Sequence, residues 1–123
     1  MYSIFKIVHI VGFMSLFMAL GALAFHGLNG GQKDSNNARV WIFATHGAAL
    51  LVLFITGFGL LGVLKAMSFP FALWIWVKLI ILILMGGLAA LMQRKTQLSA
   101  LFWIGLPLIG ALAASMAILK PGG

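Results

Sequence analysis

Residues 71–93 read FALWIWVKLIILILMGGLAALMQ, with one charge in the whole stretch, Lys78. About 20 apolar residues is the length an α-helix needs to cross the hydrocarbon core of a bilayer. Three runs of the same kind accompany it, at residues 4–28, 39–64 and 98–119. Together the four take up most of the 123 residues, and 63% of the chain is hydrophobic. A soluble domain is about 45–50% apolar, so this chain has more apolar surface than a soluble core can hide. The reading is all-α: one domain, residues 1–123, an integral membrane up-down-up-down bundle of four transmembrane helices.

The breaks between the runs are short. Asn29-Gly30-Gly31 stops the first helix, and residues 32–37 form the one polar stretch. Lys65 and Ser68-Phe69-Pro70 make the second turn, with Pro70 suited to a helix start. Arg94-Lys95-Thr96-Gln97 is the third loop, and Pro107 is a tolerated kink in the fourth helix. Short connections make neighbouring helices antiparallel. Both termini and the second turn then share one side, side A; loops 1 and 3 share the other, side B. Trp74 and Trp76 fall near side A, and Trp41 and Trp103 near side B, as interfacial tryptophans do. Lys6 at the start of the first run and Ala22-Leu23-Ala24 farther along it imitate a signal peptide. The run is longer than the usual signal core, and it is read as a retained helix.

Eight Lys or Arg face a single acid, Asp34, and the pI is near 10.7. In this context the cations are anchors at helix ends. No basic helix with interleaved aromatics exists to stack bases, so nucleic acid is excluded. Positive charge divides almost evenly between the two sides. Arg94-Lys95, in a short loop, tilts side B toward the cytoplasm, with the bacterial inner (plasma) membrane as the expected location. Lack of cysteine removes disulfides, thiolate catalysis, iron–sulfur clusters and Cys-ligated zinc. One acid cannot build paired-carboxylate hydrolysis, a carboxylate metal cage or an acid-based proton relay.

Small residues mark packing faces, because close approach drives helix association in lipid. Gly12, Ser15, Ala19 and Ala22 step along the first helix; Gly57, Gly59 and Gly62 thin the second; Gly110, Ala113, Ala114 and Ala117 line the fourth. Seven methionines are fillers, with no spaced copper-ligand motif.

Ionisable groups inside such helices are costly and point to function. The candidates are His9, His26, His46, Lys78 and Arg39. Depth sorts them. His9 and Lys78 come within about 3 Å of one level near side A, by the helical rise. His26 and His46 differ by about 7–8 Å near side B. His9 and His46 lie roughly 18 Å apart in depth, too far to clamp one metal together. Two layers result: His9 with Lys78, and His26 with His46 and Arg39. Haem suits such groups, since imidazole is a common axial ligand and Lys or Arg pairs with propionates; His9 with Lys78 is the primary site, and His26, His46 and Arg39 a second site or propionate clamp. His9 and His46 are the candidate metal ligands, one in each layer. Arg39 and His46, seven apart, share a helix face as a propionate clamp beside a ligand. Gly12 and Gly47 leave room for a flat ring. The plainer readings are interhelical hydrogen bonds for the histidines, snorkelling for Lys78 and solvation for His26. Zinc at His26 and His46 lacks a third ligand.

Lys6-x-x-His9, then Arg39, His46 and Thr56-Gly57, then Trp74-x-x-x-Lys78-Leu79 and Gly86-Gly87, resemble the superfamily that includes HemJ-type protoporphyrinogen oxidases, CopD copper-resistance proteins and SirB-like proteins. The resemblance covers three of the four helices. It implies haem b binding at a helix-1 histidine and a helix-3 lysine, here His9 and Lys78. The additional polar and charged residues of HemJ-type chains are absent. The expected function is a haem b-binding membrane protein in electron transfer or tetrapyrrole oxidation. The alternative is a non-catalytic accessory subunit of a larger membrane complex, since tiny loops and small-residue faces suit assembly or homo-oligomerisation. A metal-ion or small-solute permease is disfavoured by the lack of an intramembrane acid.

Overall fold

The structure is a computed structural model that describes residues 2–63 and 72–119. Four helices account for most of them: α1, Tyr2–Leu28; α2, Arg39–Val63; α3, Leu73–Arg94; and α4, Ser99–Leu119. Short 3₁₀ turns at Lys33–Ser35 and Thr96–Leu98 sit in the two described connections. No strand occurs among the described residues. All four helices are long and apolar enough to cross a membrane. At about 1.5 Å per residue, even α4 reaches about 30 Å.

The expected spans hold, with small shifts at their ends. Helix α1 begins at Tyr2 rather than near Ile4, and α3 at Leu73. The expected turn at Lys65 and Ser68-Phe69-Pro70, and the anchor Lys120, lie outside the described residues. Both 3₁₀ turns escaped the sequence reading, because so short a turn leaves no periodic trace.

The end of α1 has a specific geometry. Gly30 has φ +77°, a left-handed conformation that glycine adopts without a Cβ penalty. The Gly31 N–H donates to His26 O at 2.9 Å, and the Gly30 N–H to Gly27 O at 3.0 Å. That paired closure is a Schellman motif, and it turns the chain sharply into loop 1.

Helix α1 is the hub and touches each of the other three. A Cβ built on Gly12 would come within 3.0 Å of Val52 Cγ1, and one on Gly59 within 2.6 Å of the Phe5 ring. His9 meets Thr56 between these two levels. The order 5 to 59, 9 to 56, 12 to 52 makes α1 and α2 antiparallel. Gly27 against Ser99 and Phe17 against Gly110 do the same for α1 and α4. The core is built from Leu16, Leu20, Met85 and Met92, all fully buried. Outward faces are as apolar as the core: Ile83 is 74% exposed and Ile118 79%. An exposed apolar surface this continuous is not that of a soluble monomer, and it agrees with integration into a membrane.

Candidate functional site

The antiparallel arrangement brings four half-helices to one end of the bundle: the first halves of α1 and α3 and the second halves of α2 and α4. Between them lies a cavity of about 270 Å³. Pockets for drug-sized ligands run to about 300–1,000 Å³, so this space is near the lower bound. Helix α1 contributes His9, Phe13 and Phe17, α2 contributes Leu53, Gly57 and Phe58, and α3 contributes Trp74, Lys78 and Met85. Helix α4 contributes only Ala113, Ala114 and Ala117. The space exists because α4 presents alanines where the other helices present aromatics. Phe13 and Phe17 stack against each other at 4.6 Å between centroids and lean on Gly110.

Among the described residues, two titratable side chains line this otherwise apolar cavity: His9 and Lys78. Their common depth was expected from the rise per residue; their common cavity is a tertiary result. Lys78 is half-buried. The His9 ring is tied to α2 through Nδ1, 2.8 Å from Thr56 Oγ1. Among the described residues, its Nε2 makes no hydrogen bond. Gly57, one residue past Thr56, leaves the ring unhindered; a Cβ there would stand 3.6 Å from His9 Cε1.

The side B layer does not form a comparable group. His46 is buried, and its Nε2 donates to Met85 O at 2.9 Å, with Phe43 edge-on to the ring. A carbonyl only accepts, so Nε2 is occupied by its proton. His46 precedes Thr56 on α2 by ten residues, about 15 Å along the axis. The structure therefore keeps the His46 and His9 levels apart. His26 turns into loop 1, where its Nε2 donates to Gln32 O at 2.8 Å, 3.4 Å from Ser35 Oγ. It braces the loop just described. Arg39 is exposed at the first residue of α2.

Among the described residues, no three His, Cys, Asp or Glu side chains gather into a metal-holding group. A haem iron takes an imidazole nitrogen, and His9 offers one: a ring steadied at Nδ1, Nε2 without a hydrogen bond among the described residues, and aromatic walls. Lys78 adds a cation suited to a carboxylate. An imidazole nitrogen and an ammonium are the donor types a haem takes. The sequence reading missed Thr56 as a site residue. Its signal was a hydroxyl in an apolar helix, and such hydroxyls commonly bond back to their own helix, so sequence alone gave it no distinguishing role. No family model matches the chain, and no curated protein or solved structure matches it.

Proposed function

We propose that this chain is a haem b-binding four-helix protein of the bacterial plasma membrane, acting in electron transfer or tetrapyrrole oxidation. The helices cross the bilayer up-down-up-down, with loops 1 and 3 on the cytoplasmic side. One observation carries the reading: His9 and Lys78 line a single apolar cavity, and the His9 ring is anchored through Nδ1 with no hydrogen bond at Nε2 among the described residues. The resemblance to HemJ-type proteins implicates the same two residues.

Within this reading, His9 would hold the haem iron through Nε2 and Lys78 would pair with a propionate. Phe13, Phe17 and Trp74 exclude water and offer flat apolar contact. A haem would supply a one-electron couple whose potential is set by its ligand and by the dryness of its surroundings. The chain's own contribution is to bind, orient and desolvate.

The test is optical. Protein expressed with ample haem and purified in detergent is expected to show a Soret band in near-stoichiometric yield. His9→Ala is expected to lose it. His46→Leu is expected to retain it and to cost about 1 kcal/mol of stability, the size of an interhelical hydrogen bond in a membrane bundle. A colourless wild-type protein, indistinguishable from His9→Ala, would end the reading.

A further inference from the structure

Thr56 is buried in α2, facing α1. Its hydroxyl has two neighbours, Val52 O at 2.6 Å and His9 Nδ1 at 2.8 Å. A hydroxyl carries one proton, and a carbonyl oxygen can only accept. The Thr56 proton therefore goes to Val52 O. What Oγ1 has left for His9 is a lone pair, so Nδ1 must be the donor. A neutral imidazole carries a single N–H. With that proton on Nδ1, the lone pair of the ring is on Nε2.

We infer that Thr56 is the positioning residue of the cavity: it holds His9 in the Nδ1–H tautomer and so makes Nε2 the ligating atom. The partner on one ring nitrogen decides what the other can do, and such outer partners orient metal-ligating histidines elsewhere. The three histidines of this chain show the contrast. His26 and His46 each donate through Nε2 to a backbone carbonyl. His9 alone donates through Nδ1, and it alone lines the cavity. The helix supplies the rigidity. The Thr56 hydroxyl is tied to its own preceding turn, so its lone pair stays aimed while the α1–α2 contact lasts. Valine has nearly the shape of threonine and lacks the acceptor; serine keeps the acceptor.

That Nε2 ligates iron rests on the haem reading, whereas the tautomer does not, and the experiment separates the two. Full-length protein labelled with ¹⁵N-histidine is prepared without haem in lipid bilayers, and the ring nitrogens are observed by solid-state NMR. Loss of signals in His9→Asn assigns His9. The expected wild-type pattern is a protonated Nδ1 and a bare Nε2. Thr56→Ser is expected to keep it. Thr56→Val is expected to shift His9 predominantly to the Nε2–H form and to weaken haem binding about tenfold or more, as losing the partner of a metal-bound histidine does. A protonated Nε2 in neutral wild-type His9 overturns the assignment, as does an unchanged tautomer in a folded Thr56→Val protein. If Thr56→Val fails to fold, the wild-type and Thr56→Ser spectra still decide it. The expected tautomers together with no Soret band in any variant would support the role of Thr56 and overturn the haem reading.

Discussion

Gly27→Leu is expected to abolish the folded bundle, and Gly27→Ala to cost about 2–4 kcal/mol. A Cβ at Gly27 would meet the Ser99 hydroxyl, would stand 2.8 Å from Ser99 Cβ and would lie 3.3 Å from the Thr96 backbone oxygen. Ser99 cannot simply swing aside. It is buried at 3% exposure, and its hydroxyl donates to Thr96 O at 2.7 Å, back into the 3₁₀ turn before α4. Overpacking a tight contact costs about 1–3 kcal/mol, and giving up that hydrogen bond adds about 1 kcal/mol. A leucine adds three more carbons at a point where the Ser99 side chain already fills the gap between α1 and α4. Whole domains are stable by only about 5–15 kcal/mol, so the larger substitution exceeds what the bundle can absorb. Denaturant titration of tryptophan fluorescence in micelles measures both variants. Ser99→Gly in the Gly27→Ala background is expected to recover most of the loss, because it removes the atoms in the way. Wild-type stability in Gly27→Leu would show that the α1–α4 contact is not as close as described.

The second large effect is at Lys78. Lys78→Met is expected to weaken haem binding about 10- to 150-fold without unfolding the protein. Methionine keeps an unbranched stem of similar volume, a change cores tolerate well. What it removes is the charge-assisted bond between the ammonium and a propionate, worth about 1.5–3 kcal/mol. At about 1.4 kcal/mol per decade, that is the stated range. Lys78→Glu replaces attraction with repulsion in an apolar setting, where charges are poorly screened, and is expected to lose binding altogether. Haem titration followed at the Soret maximum reads both. If Lys78→Met binds as tightly as the wild type while His9→Ala binds nothing, Lys78 has no part in holding the cofactor and snorkels to the interface instead.

The chain itself determined the four helical spans, the polar loop after Gly30-Gly31 and the chemistry excluded by having one acid and no cysteine. It also determined that His9 and Lys78 share a level, because depth follows from the rise of a local helix and needs no partner. Only the tertiary structure decided which way each helix faces. In a soluble protein a polar stripe marks the outside, and rotation can be read from hydropathy. Here both faces are apolar, so no such stripe exists. Lipid is also as apolar as a side chain, so burial does not distinguish a neighbour helix from solvent. That is why the sequence offers His46 as a ligand while the fold sets its Nε2 against Met85 O, and why it groups His26 with His46 while the fold has His26 bracing loop 1. It is also why Thr56 stands in the sequence only as part of the Thr56-Gly57 pair, with no role of its own. Its importance lies in facing His9 across an interface whose rotation is set by Gly12, Gly59 and the close packing around them. The alanines of α4 read as packing residues in the sequence; placed opposite Phe13 and Phe17, they are what opens the cavity at all.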